Sequence, residues 1–192
     1  MIRHLYDQLA GRWLRGGSVW IFSDPHFGDP DSDFFRGDSY PGDLELVKRI
    51  NRRIGKNDTL VMLGDIGEVE FVAKLRGYKV LLLGNHDRGA TNYQRRKSIM
   101  EDNRLFDEVY EGPLMINDRV ILSHEPIDPL PPYLFNVHGH EHGAPNVVDE
   151  HHFNVCAEAI GYEPVNLTKL MEKGLLKGIV TIHEAYIETR RG

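Results

Sequence analysis

The 192-residue sequence has a single cysteine, no excess of positive charge and no long apolar run. One cysteine, Cys156, excludes an internal disulfide and is typical of a reducing compartment, so we expect a cytoplasmic protein. Acidic residues outnumber basic ones by 29 to 23, and the resulting net charge of -6 disfavours binding to nucleic acid through bulk electrostatics. The apolar runs, such as 80–83, are far too short to span a bilayer, so no membrane partner is expected.

The overall composition is that of a globular protein. A chain that is 41% hydrophobic and 27% charged can bury a core and lacks the signature of disorder. Its length predicts one domain over residues 1–192. Residues 1–17 are predicted to form an amphipathic helical extension, which either packs on this domain or supplies a dimer contact. We therefore expect a monomer or a homodimer.

Short apolar segments that end in polar turns predict parallel strands. Three such strands are predicted over 19–22, 59–63 and 79–83, with helical segments between them, while residues 29–43 are typical of a loop. Helical connections between parallel strands place the carboxyl ends of these strands on one edge of the sheet, where ligands bind in open α/β folds. The second half predicts further elements, namely strands over 108–110, 114–116, 120–123, 134–137, 153–156 and 178–186 and a helix over 167–173. The pattern indicates an α/β domain with two sheets.

Polar side chains lie directly after the predicted strands or in glycine-containing turns that follow them. They are Asp24, His26, Asp65, Asn85, His86, His124, His140 and His142. Carboxylate, imidazole and amide oxygen together suit borderline divalent ions such as Mn²⁺, Fe²⁺, Co²⁺, Ni²⁺ or Zn²⁺. No thiolate belongs to the set, which disfavours a structural zinc site built from cysteines. The set is too large for one ion, whereas two ions that share a bridging carboxylate would use all of it except one histidine.

Such an arrangement suits hydrolysis of a phosphate ester. Two ions about 3.5–4 Å apart lower the pKa of a shared water and stabilise charge during in-line displacement. The remaining histidine can donate a proton to the departing alkoxide, a contribution of typically ~10²–10⁴ in rate. A carboxylate next to that histidine, Asp87, is placed to keep its imidazole protonated or correctly oriented.

The order of these residues resembles that of the calcineurin-like metallophosphoesterases. The matching segments are Asp24-Pro25-His26, Gly64-Asp65, Gly84-Asn85-His86-Asp87, His124 and Gly139-His140-Glu141-His142. The short chain is similar to the small bacterial and phage phosphohydrolases of that family rather than to its protein phosphatases. The resemblance implies a four-layer α/β/β/α sandwich of two facing mixed sheets.

The resemblance also implies a role for each matching residue. One ion would be held by Asp24, His26, Asp65 and His142, and the other by Asp65, Asn85, His124 and His140, so that Asp65 bridges. A metal-bridging hydroxide would attack the phosphorus, with His86 as general acid and Asp87 as its partner. The chain departs from its relatives in two places: Asp87 replaces the glutamate of the protein phosphatases, and the segment Phe27-Gly28-Asp29 stands where small relatives often have a further histidine.

We therefore predict a di-metal phosphohydrolase that cleaves phosphodiester or phosphomonoester bonds in a small, nucleotide-like substrate, with Mn²⁺ as the expected metal. Two alternatives are a nuclease, which the basic residues 95–97 favour, and a non-catalytic scaffold, which predicts the loss of metal ligands. Arg88 is predicted to contact substrate, with a solvated helix face as the alternative. His138 either contacts substrate or packs in the core.

Overall fold

The computed structural model describes residue 13, residues 16–88 and residues 105–172. Most of the predicted extension 1–17 lies outside this range, and so do the basic residues 95–97 and the predicted strand 178–186. The prediction of a single domain stays a prediction. The described part of the chain has no helix that is both long enough and apolar enough to cross a membrane.

The first sheet contains the three predicted parallel strands, which are β1 (Val19–Phe22), β2 (Thr59–Met62) and β3 (Tyr78–Leu82). The strand β4 (Glu108–Tyr110), predicted without a partner, joins them and pairs parallel with β3. A short strand, β9 (Val165–Asn166), pairs antiparallel with β1 and makes the sheet mixed, with the order β4-β3-β2-β1-β9. The sequence did not predict β9, because two residues are too few to show an alternating pattern.

The second sheet comes from the second half of the chain. Its strands are β5 (Leu114–Met115), β6 (Val120–Leu122), β7 (Phe135–His138) and β8 (His152–Asn154). They lie in chain order, with β5 and β6 antiparallel and the remaining pairs parallel. A turn at Asn117 joins β5 to β6, and the Oδ1 atom of Asn117 accepts a hydrogen bond from the backbone N–H of Arg119.

The helices agree with the predictions in part. They are α1 (Asp33–Arg36), α2 (Asp43–Arg53), α3 (Val69–Val72), α4 (Asn85–Arg88) and α5 (Leu167–Glu172). The prediction that 29–43 is a loop was wrong, because a 3₁₀ turn over Pro30–Ser32 leads into α1. On α2, Leu46 and Ile50 face the sheet and are buried, whereas Leu44 is 60% exposed.

The core shows that the two sheets face each other. Alternate residues of the first sheet, such as Ile21 and Val61, pack with Val120 and Val137 of the second sheet. The residues between them on the first sheet point the other way and pack under α2. Two facing mixed sheets confirm the predicted α/β fold. The helices α2 and α3 cover the first sheet, while the fourth layer, on the second sheet, stays a prediction.

Candidate metal centre

The predicted ligands gather where the strands of both sheets end. Asp24 follows β1, Asp65 follows β2 and Asn85 follows β3, while His124 and His140 follow β6 and β7 of the facing sheet. Because β1, β2 and β3 run parallel, their carboxyl ends open on the same edge. A backbone bridge between Ser23 and Cys156 links the two sheets beside Asp24.

The first group of ligands consists of Asp24, His26 and His142. The Oδ1 atom of Asp24 lies 3.6 Å from Nε2 of His142 and 3.9 Å from Nε2 of His26. The ring centroids of the two histidines are 5.2 Å apart. One atom from each residue falls within a sphere small enough for all three to bind a single cation.

The second group consists of Asp65, His124 and His140, with Asn85 beside them. The Nε2 atom of His124 lies 3.4 Å from Oδ2 of Asp65. The amide oxygen of Asn85 lies 2.7 Å from the same Nε2 atom and 3.1 Å from Nδ1 of His140. Four potential ligand atoms thus converge, and they are the ones that the resemblance implied.

Asp65 lies between the two groups. Its Oδ2 atom is 3.7 Å from Nε2 of His26 in the first group and 3.4 Å from Nε2 of His124 in the second. Its other oxygen accepts a hydrogen bond of 2.9 Å from the backbone N–H of His86. Although burial raises the pKa of this carboxyl, His124 and His26 lower it by more, so that Asp65 is held ionised.

The backbone of the ligand loops is strained at the ligands themselves. Asp24, His26, Asp65 and His140 have φ angles of 56°, 43°, 51° and 68°. Non-glycine residues rarely adopt this left-handed region, which costs of order 1–3 kcal/mol where the neighbouring structure enforces it. Hydrogen bonds enforce it here, because the N–H of Asp24 donates to Gly64 and that of His26 donates to Asp65. Among the described residues Tyr162, with a φ of 61°, is the one other non-glycine residue in this region, and backbone strain clustered in this way is typical of functional sites.

Two glycines pack directly against ligand carboxylates. A Cβ atom on Gly139 would lie 2.3 Å from Oδ2 of Asp24, and one on Gly84 would lie 2.1 Å from Oδ1 of Asp65. Neither glycine adopts a positive φ, so backbone freedom is not the reason for glycine at these positions. The positions require glycine because a Cβ atom would collide with the carboxylates. Their presence in the motifs has a steric cause.

The donor set fits divalent cations. Within the described residues no donor forms a hydrogen bond with Oδ1 of Asp24, although this atom is buried and carries charge. An anionic oxygen is costly in such a place unless a cation compensates it. Burial alone would lower the pKa of His124, but the hydrogen bond to Asp65 and the charge of Asp24 raise it to about 9. The site therefore attracts positive charge.

Comparison with known proteins identifies the family of the chain. The family model described as calcineurin-like phosphoesterase matches residues 17–173. The chain belongs to this family. No curated protein matches the sequence significantly. A crystal structure of a protein of unknown function from Aquifex aeolicus is similar to it, with a TM-score of 0.63 and 20% identity over 81% of this chain and 98% of the other, and this likeness concerns the fold alone.

His86 lies at the open side of this phosphoesterase site. Its side chain is 53% exposed, and its Nε2 atom lies 4.0 Å from Oδ2 of Asp65. Its ring meets that of His26 edge to face, with the centroids 5.3 Å apart. The imidazole is thus next to the ligands and within reach of a dissolved substrate.

Asp87 has a different environment from the one expected. It is fully buried, and its carboxylate accepts hydrogen bonds from the backbone N–H groups of Gly84, Asp65 and Ile66. Its described bonds do not include the predicted pairing with the His86 imidazole, because the side chain points back into the loop. In this structure Asp87 ties the turn after β3 to the turn after β2 and so positions His86 and Asp65 indirectly.

The two predicted substrate contacts differ in their placement. Arg88 is exposed, and its guanidinium donates two hydrogen bonds to the carbonyl oxygen of Leu83, at 2.9 and 2.6 Å, at the start of the His86 turn. His138 is fully buried, with Nδ1 2.9 Å from the carbonyl oxygen of Gly139 and its ring against that of His152. Its burial favours packing in the core, and we no longer assign it to substrate.

Sequence reasoning missed the residues that support the ligands from behind. The carboxylate of Asp29 lies 3.4 Å from Nδ1 of His26, and that of Glu158 lies 3.3 Å from Nδ1 of His142. Arg36 is buried and donates hydrogen bonds to the carbonyl oxygens of Pro25 and His26. Asp29 carried a signal, its short spacing from His26, whereas Glu158 is 16 residues from its partner and carried none.

Proposed function

We propose that this phosphoesterase is a two-metal phosphohydrolase that cleaves phosphodiester or phosphomonoester bonds in a small, nucleotide-like substrate. The observation that carries the proposal is the position of Asp65 between two ligand groups, 3.7 Å from one histidine and 3.4 Å from another. A single carboxylate so placed is suited to holding two cations at once. We take Mn²⁺ as the expected ion, one of the several divalent ions that carboxylate, imidazole and amide oxygen ligands suit.

In this proposal the ligands divide as the geometry groups them. Asp24, His26 and His142 would hold one ion together with Asp65, and Asn85, His124 and His140 would complete the other. When bound, the two ions would supply positive charge for the phosphate and a water acidic enough to act as the nucleophile. The protein keeps Asp65 ionised and its position fixed through the backbone N–H of His86.

His86 would donate the proton that the leaving group requires. Its exposed imidazole stands 4.0 Å from the shared carboxylate, on the side from which a substrate enters. The loop that carries it is fixed by Asp87, whose hydrogen bonds to Gly84 and Asp65 hold two ligand turns together. A proton donor fixed in this way acts without a large rearrangement.

Charge favours a small phosphate ester as the substrate. The whole chain has a net charge of -6, which repels a long polyanion. At the metal centre, the positive charge of two divalent cations would exceed the negative charge of the two ligand carboxylates, Asp24 and Asp65. The centre would therefore attract a phosphate group although the chain as a whole is negatively charged. Arg88, exposed beside the His86 turn, would add a positive charge at its edge.

Replacing His86 by alanine tests the proton-donor role. We expect the variant to retain its bound metal but to lose about 10²–10⁴ of the turnover on an alkyl phosphate ester, which needs a protonated leaving group. Turnover of a p-nitrophenyl ester should fall much less, since p-nitrophenolate leaves without a proton. Metal content is measured alongside, with Asp65→Ala as the variant that loses metal and activity together. Full activity of His86→Ala on the alkyl ester would contradict the assignment.

A further inference from the structure

The turn that follows β8 lies behind the first ligand group and contacts two of its members. The thiol of Cys156 donates a hydrogen bond of 3.3 Å to Oδ2 of Asp24. Two residues later, the carboxylate of Glu158 lies 3.3 Å from Nδ1 of His142. Backbone hydrogen bonds hold the turn, because the N–H of Tyr162 donates to Ala157 at 2.7 Å. One rigid turn therefore supports both an acid and a histidine of the site.

We propose that Glu158 is a positioning residue for the metal site: its carboxylate accepts the Nδ1–H of His142 and thereby directs Nε2 of this histidine toward Asp24. This inference rests on the proposed two-metal function. A carboxylate behind a ligating histidine fixes its tautomer and ring orientation and makes the ligand more basic, and loss of such a partner typically costs about 10–100-fold in metal affinity.

The geometry at His142 matches this role on both sides of the ring. Nδ1 faces Glu158 at 3.3 Å, while Nε2 faces Oδ1 of Asp24 at 3.6 Å. The Glu158 side chain is only 12% exposed, so its charge is largely removed from water. Within the described residues its carboxylate forms a hydrogen bond with His142 and with no other group. The largely enclosed carboxylate is thus directed at one ligand histidine, as expected of a group that orients it.

The same arrangement recurs at two further ligand histidines, His26 and His124. Nδ1 of His26 lies 3.4 Å from the carboxylate of Asp29, and Nδ1 of His124 lies 2.8 Å from the carbonyl oxygen of Leu63. In each case an acceptor stands behind the ring and Nε2 points into the site. Of the two carboxylates that accept from a ligand histidine, Glu158 is the more enclosed, because its side chain is 12% exposed and that of Asp29 is 23% exposed.

The test compares Glu158→Ala and Glu158→Gln with the parent in the full-length protein. Mn²⁺ binding is measured by titration calorimetry, and the unfolding temperature is measured on metal-stripped protein. We expect Glu158→Ala to bind one Mn²⁺ ion about 10–100-fold more weakly, and Glu158→Gln, which still offers an acceptor, to lose less. Glu163→Gln is the matched control, because Glu163 is exposed and pairs with Arg53. It should bind Mn²⁺ like the parent.

Nitrogen chemical shifts of the metal-stripped protein give a readout that a general loss of stability would not move. In the parent, His142 should be the Nδ1–H tautomer, and in Glu158→Ala it should change toward the Nε2–H form. Parent affinity and an unchanged tautomer in Glu158→Ala would overturn the inference while leaving the proposed function intact. A parent protein that binds no Mn²⁺ would overturn both, so the two failures are distinguishable.

Discussion

Replacing Gly84 by alanine tests whether the ligand loops require the close packing seen here. The new Cβ would lie 2.1 Å from Oδ1 of Asp65, about 1.3 Å short of an ordinary 3.4 Å contact, and 2.6 Å from its backbone nitrogen. Gly84 does not have a positive φ, so the substitution adds a steric conflict without backbone strain. The shared carboxylate must therefore move by roughly 1 Å, a displacement that typically costs about 10²-fold in rate at a catalytic site.

The assay is Mn²⁺-dependent hydrolysis of p-nitrophenyl phosphate, with Mn²⁺ affinity measured on the same preparations. We expect kcat/KM to fall by about 10² or more and both ions to bind more weakly, because Asp65 serves both groups. Gly112→Ala is the matched control, since a Cβ there meets nothing within 4 Å, and it should behave like the parent. If Gly84→Ala kept the parent's activity and affinity, the steric argument would be refuted.

The remaining predictions concern stability. The folded-state pKa of His124 is about 9, above its ordinary value near 6.5, so its stabilisation is complete below pH 6.5 and is lost as the pH rises through 9. In urea unfolding of metal-stripped protein, the free energy of unfolding should fall by up to about 3 kcal/mol between pH 6.5 and pH 9. An equal fall in His124→Asn would contradict the assignment of this pH dependence to His124. Arg36→Met leaves buried carbonyl oxygens, including that of His26, without their donor and should lower the free energy of unfolding by about 1–3 kcal/mol. Arg52→Met, which removes an exposed ion pair, should change it by less than about 1 kcal/mol, and similar losses in both variants would refute the role of Arg36.

The elements that carry the ligands could be predicted from the sequence because their signals are local. A buried strand such as Val19–Phe22 shows itself as an apolar run, and the turn after it shows itself through Asp24 and His26. Parallel connections then require Asp65 and Asn85 to open on the same edge. The placement of His124 and His140 on a facing sheet was implied only by the resemblance, because strand order between sheets leaves no local trace.

The supporting residues could not be predicted because their contacts depend on the tertiary fold. Glu158 reaches His142 only once β7 and β8 are paired, and nothing in residues 143–157 between them indicates this contact. Helix α1 was missed because its four residues are held by the buried Arg36 rather than by helical periodicity. Asp87 was expected to orient the imidazole of its neighbour His86. Its carboxylate instead accepts hydrogen bonds from the backbone N–H groups of Asp65 and Ile66.

The central claim is that this site hydrolyses phosphate esters with bound divalent ions. The most direct measurement is hydrolysis of p-nitrophenyl phosphate and bis-p-nitrophenyl phosphate by metal-stripped protein before and after addition of Mn²⁺. We expect turnover to appear only with metal and to be absent in Asp65→Ala, and the ratio of the two rates will distinguish a monoesterase from a diesterase. Absence of turnover with Mn²⁺, Ni²⁺, Co²⁺ and Zn²⁺ alike would contradict the claim.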